Sequence, residues 1–134
     1  MASTPDPATL RRQVERLLAR QRALVKELRA LREQVPGSVF DRYGTCGKEG
    51  CACRRGPGHG PYPVLSSRTA GRGAFLYLTR GQAQKARRLV AAARSYRQGM
   101  NRLKTLNGEL LDLMRRYQRA VARAAGRRMG VQAA

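Results

Sequence analysis

All three cysteines of the chain, Cys46, Cys51 and Cys53, and its only histidine, His59, fall within the glycine-rich stretch YGTCGKEGCACRRGPGHGPY, residues 43 to 62. Three thiolates and one imidazole are the donor set a four-coordinate zinc ion prefers, and the intervening glycines let the backbone wrap closely around a metal. The stretch therefore predicts a structural turn holding one Zn2+ through these four side chains. The spacing Cys-x4-Cys-x-Cys-x5-His is not that of the common knuckles and ribbons, whose paired cysteines stand two residues apart, so donor identity carries the argument. Lys48, Arg54 and Arg55 surround the cluster and favour the thiolate form. Two other readings compete: small buried cysteines beside an ordinary Gly-His-Gly-Pro turn, and a disulfide. The disulfide is the weaker, because three cysteines cannot all pair within one chain and no secretory signal precedes them. Gly44, Gly47 and Lys48 do not make a phosphate-binding loop, which needs four residues between its glycines and a Ser or Thr after the lysine.

A long helix is expected on either side of this turn. Thr4 or Asp6 can cap the first, Pro7 suits its first turn, and Pro36-Gly37 stops it near Val35. Along it Leu10, Val14, Leu17, Gln21, Leu24, Leu28, Leu31 and Val35 alternate at spacings of four and three, the pattern of a coiled-coil seam. The second helix is expected from about Gly81 to Ala125, with a seam through Leu89, Ala93, Tyr96, Met100, Leu103, Asn107, Leu110, Met114, Tyr117, Val121 and Ala124. Its greater length predicts a homodimer or a protein partner, with oligomerisation through Leu103, Asn107, Leu110, Met114, Tyr117 and Val121. Gly99 and Gly108 weaken it locally. Between the helices, residues 37–42 read as a connection, with Val39 and Phe40 packed beneath the metal turn. A β-hairpin follows, with strands over 62–68 and 74–79 and a turn at 69–73. The expected fold is thus mostly α: two long helices forming an antiparallel helical hairpin or coiled coil, joined by a small zinc-stabilised β-hairpin. The segments are a disordered 1–6, helix 7–35, zinc turn and hairpin 36–80, helix 81–125 and a basic flexible tail 126–134.

The run Cys46-Gly47-Lys48, Cys51, Cys53 and Gly58-His59-Gly60-Pro61-Tyr62, followed by a hairpin and a long helix, resembles a small prokaryotic domain family of unknown function over about residues 36 to 118. The resemblance implies that cluster, hairpin and helix form one unit, and it carries no activity.

Charge decides the functional expectation. Lys and Arg number 28 against 8 Asp and Glu, a formal net charge of +20, and such an excess calls for a polyanionic partner. No apolar run is long enough to cross a membrane. The expectation is a cytoplasmic protein, nucleoid-associated if bound to DNA, that holds duplex DNA through phosphate contacts as an accessory factor. Lys48, Arg54, Arg55, Arg68, Arg72, Arg80, Arg87 and Arg88 are the candidate contacts. Only 5% of residues are aromatic, which leaves Tyr43, Tyr62, Phe75 and Tyr77 as a small stacking platform and places duplex DNA ahead of RNA. RNA binding stays open, as does an adaptor that recruits a nucleic-acid-processing protein through its helices. Catalysis is not expected, because four protein donors fill a tetrahedral zinc shell and no second histidine is present.

Overall fold

A computed structural model describes residues 5–68 and 74–131. The elements run in the order α1 (Pro7–Ala30), β1 (Gly37–Gly44), a short 3-10 turn (Ala52–Arg55), β2 (His59–Ser67), β3 (Ala74–Tyr77) and α2 (Arg80–Arg128). The hairpin turn expected at 69–73, with Arg72, lies outside the described residues, as does Thr4. Packing divides the chain into two units, Met1–Ala30 with Gln98–Ala134 and Leu31–Arg97.

The expected helical hairpin joined by a two-stranded module is overturned by the middle unit. Residues 37–42 are not a connection but part of β1, and the sheet is three-stranded and antiparallel in the order β1-β2-β3. Phe40 stands opposite Val64, which stands opposite Tyr77; Arg42 pairs with Tyr62, and Ser66 with Phe75. Partners across a sheet share a face. One face therefore carries Phe40, Arg42, Tyr62, Val64, Phe75 and Tyr77, and the other carries Val39, Asp41, Leu65 and Leu76. The Nη2 atom of Arg87, on α2, lies 3.7 Å from the Asp41 carboxylate.

The first helix also ends earlier than expected, at Ala30 rather than Val35. Pro36 disfavours helical backbone at Val35, the residue before it, but the helix has already ended at Ala30, with residues 31–34 between. In the observed path the Val35 N–H donates instead to the Leu89 carbonyl, at 3.0 Å. A capping box opens α2: the Gln82 N–H donates to Thr79 Oγ1 (3.3 Å) and the Thr79 N–H donates to Gln82 Oε1 (2.9 Å). The helix passes through Gly126 and stops at Gly130, whose φ is 72°. There the Gly130 N–H donates to the Arg127 carbonyl and the Val131 N–H to that of Gly126, a Schellman cap that only a residue tolerating positive φ closes cheaply.

In the unit built from α1 and the later turns of α2, Asp6 caps α1, accepting the Ala8 N–H at 2.9 Å. Leu10 and Leu28 of α1 are buried, as are Leu106, Leu113 and Ala120 of α2; Val14, Leu17 and Tyr117 pack against the cluster of Leu10, Leu113 and Ala120. The phase of the α2 stripe differs from the expected seam. Leu103, Leu110 and Tyr117 belong to both phases, but Leu106, Leu113 and Ala120 are buried where Asn107, Met114 and Val121 were expected. Burying two leucines in place of an asparagine and a methionine removes more apolar surface from water, at about 1.5–3 kcal/mol per leucine. Asn107 remains exposed and accepts a hydrogen bond from the Gln21 amide at 2.7 Å.

Candidate metal centre

β1 ends at Gly44, two residues before Cys46; Cys51 and Cys53 flank the start of the 3-10 turn, and His59 opens β2. The pairing register slips between Arg42 and Gly44, where Gly44 comes opposite His59. Two glycines permit this close approach. Gly58 has φ +97° and Gly60 φ +136°, and a Cβ at either would stand 2.8 Å from the Gly44 carbonyl oxygen or 2.7 Å from that of Arg42.

The sheet thereby brings together the four residues singled out from the sequence. Their ligand atoms all lie within 4.8 Å of one another. The Cys46 and Cys53 sulfurs are 3.5 Å apart, and Cys51 Sγ is 3.4 Å from His59 Nε2. Sulfurs about 2.3 Å from a tetrahedral zinc ion stand about 3.8 Å from each other, so the cluster fits such an ion after small adjustments. All three cysteines are free thiols rather than a disulfide partnership, with Cys53 buried and the other two partly so.

Backbone amides aim at the sulfurs. The Lys48 N–H, followed by the His59 and Cys53 side chains, holds the Cys46 thiol below its usual range. The Cys53 N–H does the same for Cys51, helped by the other two thiols. This use of the Cys53 amide is what the tight Cys-x-Cys spacing provides. Cys53 itself accepts the Cys46 N–H at 3.4 Å, but burial and its two neighbouring sulfurs outweigh that bond and leave its pKa raised. A divalent cation at the centre of the three sulfurs would reverse that penalty by holding all three as thiolates.

The candidate phosphate contacts are dispersed. Lys48, Arg54 and Arg55 lie exposed in the metal turn, Arg68 is exposed just after β2, and Arg80, Arg87 and Arg88 are exposed on the first turns of α2. Arg87 is partly committed to Asp41. Of the expected oligomerisation residues, Leu103, Leu110 and Tyr117 are half-buried, whereas Asn107, Met114 and Val121 are exposed. Tyr117 also accepts a hydrogen bond from Arg11 at 3.0 Å.

Sequence reasoning missed two members of a surface next to the metal turn. Phe40 and Arg42 share the face of Tyr62, Phe75 and Tyr77; Tyr43, chosen for that platform, sits at the register slip. The available signal was weak: β-branched and aromatic residues in SVFDRY favour a strand, but neither face of it is uniformly apolar.

A turn whose three cysteines and one histidine lie close enough to hold a metal ion, seated on a three-stranded antiparallel sheet, defines the class of module. The family model described as "Domain of unknown function (DUF6788)" matches residues 14–88, more than half of the chain, and the chain belongs to that family. The match includes the whole Cys and His cluster and the sheet. No curated protein and no solved structure matches the chain. Among the described residues, no helix is long and apolar enough to cross a membrane.

Proposed function

We propose that the protein binds nucleic acid through phosphate contacts, with one structural zinc ion at the Cys46, Cys51, Cys53 and His59 centre. The observation that carries this reading is uncompensated charge. Against the 28 Lys and Arg of the chain, a single ion pair, Arg87 with Asp41, is found among the described residues. Self-repulsion on that scale opposes the folded state and is relieved by a polyanion. Zinc is the metal this donor set selects, since three soft thiolates and an imidazole in a tetrahedral arrangement suit it best. With all four positions taken by the protein, the ion acts as a staple between the end of β1, the 3-10 turn and the start of β2, and the protein is not an enzyme.

Phosphate contacts alone do not choose between DNA and RNA, and either polymer would be held with a steep dependence on salt. The test is direct titration of labelled duplex DNA, duplex RNA and single strands between about 50 and 200 mM salt. Binding that persists against scrambled competitor supports the reading. Binding that vanishes for every polymer near physiological salt sinks it.

A second reading, recruitment of a protein partner through α2, is favoured by one observation: Leu111, Met114 and Val121 remain exposed on that helix, and Met129 and Val131 beyond them. Charge reversal at Arg54 and Arg55 separates the two, abolishing nucleic-acid binding but sparing recruitment of a protein.

A further inference from the structure

We propose that the sheet face bearing Phe40, Tyr62, Phe75 and Tyr77 is a stacking platform for unpaired nucleotides, and that the protein's preferred partner is a single-stranded nucleic acid. The inference rests on the nucleic-acid reading above and names the site and the polymer.

Aromatic side chains of this size are usually mostly buried, because leaving them in water forfeits a large hydrophobic gain. Here Phe40 is 38% exposed, Tyr62 47%, Phe75 60% and Tyr77 61%. They are not scattered. Register places all four on one face, around a Val64 that is wholly buried. Phe40 meets Phe75 edge to face at 6.1 Å between centroids, and Tyr62 meets Tyr77 in the same way at 6.5 Å. In an edge-to-face pair one ring keeps a face free, and the contact fixes its orientation at little further entropic cost on binding. Four of the seven Phe and Tyr residues of the chain are thus gathered and pre-oriented. Low aromatic content is therefore no argument against stacking when the few rings present converge.

What occupies such a face is decided by its surroundings. Arg42 shares it, opposite Tyr62. A depression of about 350 Å³ opens beside it, lined by Arg42, Thr45, His59, Tyr62 and Tyr77 among others. Lys48, Arg54 and Arg55 follow in the adjoining turn. Aromatic faces interleaved with cations and hydroxyls match a strand whose bases are exposed and whose phosphates run alongside, since every base offers a π-face while arginine serves both phosphate and ring. A duplex hides its base faces within the stack and gains nothing from the platform. An apolar protein partner would match the rings but not the charge.

The metal turn bears on this directly. His59 opens the strand that carries Tyr62 three residues later, and it lines the same depression. Stapling β2 to the end of β1 at His59 holds the Arg42 and Tyr62 pair in register.

The test uses the full zinc-loaded chain with labelled dT and U homopolymers and a mixed-sequence duplex as probes, at physiological salt. Expected is tighter binding of the single strands than of the duplex, with quenching of tyrosine fluorescence, which is clean because the chain has no tryptophan. Tyr77→Leu should weaken single-strand binding about 5- to 150-fold, the range for loss of one stacked base, while Tyr77→Phe retains it and both leave duplex binding unchanged. Phe75→Leu should act in the same direction. Zinc content and thermal unfolding of each variant establish that it is folded, and the wild-type quenching experiment stands without any variant. Equal losses for single strand and duplex, a Leu variant that binds like the Phe variant, or single strands bound no better than duplex would each overturn the platform while leaving nucleic-acid binding intact. Absence of binding to all three probes would overturn both.

Discussion

Leu28 of α1 lies so close to Gly99 of α2 that a methyl group at position 99 would overlap its Cδ2 atom. Gly108, about two and a half turns further along the same helix, has open space where its side chain would be. Glycine in a helix interior is less favourable than alanine by about 1 kcal/mol, so the two positions look alike in the sequence. They should respond oppositely. Gly108→Ala is expected to stabilise by about 0.5–1 kcal/mol. Gly99→Ala must displace a buried leucine, an overpacking cost of about 1–3 kcal/mol that outweighs the propensity gain. Urea midpoints of the two single variants decide the matter, and a Gly99→Ala chain as stable as Gly108→Ala would show that Leu28 yields freely.

The metal centre predicts unequal consequences for its ligands. Purified protein should contain about one equivalent of zinc, and a strong chelator should remove the near-ultraviolet circular dichroism of Tyr62 and Tyr77 while much of the helical signal survives. Cys53→Ser should be the most damaging single change. It removes a buried ligand that also accepts the Cys46 N–H. His59→Ala, at an exposed position, leaves three thiolates and should retain weaker, more readily chelated zinc. Metal analysis with thermal unfolding of the two variants checks this ordering. Full stability of Cys53→Ser without metal would remove the structural role.

How much of this was legible in the chain varies with the physics behind each feature. Donor chemistry is local and specific, so Cys46, Cys51, Cys53 and His59 declared themselves by residue type even at an uncommon spacing. Strand β1 did not, because an exposed edge strand buries too little to impose strict alternation: SVFDRY mixes Phe40 and Arg42 on one face and Val39 and Asp41 on the other. Reading it as a connection cost the third strand and displaced Phe40 from the aromatic face. The phase of α2 was ambiguous for a different reason. Leu103, Leu110 and Tyr117 fit both candidate stripes, and only packing against α1 chooses Leu106 and Leu113 over Asn107 and Met114. Gln21 and Asn107, read separately as polar residues in two seams, turn out to satisfy each other.

Acid should loosen the start of α1 through one group. The Ala8 N–H bonded to Asp6 Oδ1 is the main influence that lowers the Asp6 pKa; desolvation, the next largest, opposes it, and Thr9 and Arg12 assist the lowering. A carboxylate whose folded pKa is depressed contributes stability above its unfolded value, near 3.9, and loses that contribution as pH falls through the folded value. Asp6→Asn keeps a capping side chain but cannot titrate. Thermal unfolding of wild type and Asp6→Asn should therefore differ near neutral pH and converge as the solution is acidified below the carboxylate range. A difference that is constant with pH would mean the cap works through geometry alone.

Salt dependence can separate committed from available cations. Each phosphate contact adds about 0.9 to the slope of log affinity against log salt for duplex DNA, and about 0.7 for a single strand. Arg87 already faces the Asp41 carboxylate, so removing it should alter the slope little and instead release a negative charge beside β1. Arg54 and Arg55 sit exposed on the 3-10 turn, with no carboxylate paired to either among the described residues. Alanine at either should lower the slope by nearly one contact and weaken binding evenly across sequences, because a phosphate carries no base identity. Asp41→Asn adds the complementary case: freeing Arg87 from its partner should steepen the slope if that arginine lies within reach of the polymer. If Arg54→Ala and Arg55→Ala leave the slope unchanged while Arg87→Ala reduces it, the polymer runs along the first turns of α2 rather than across the metal turn, and the two surfaces exchange roles.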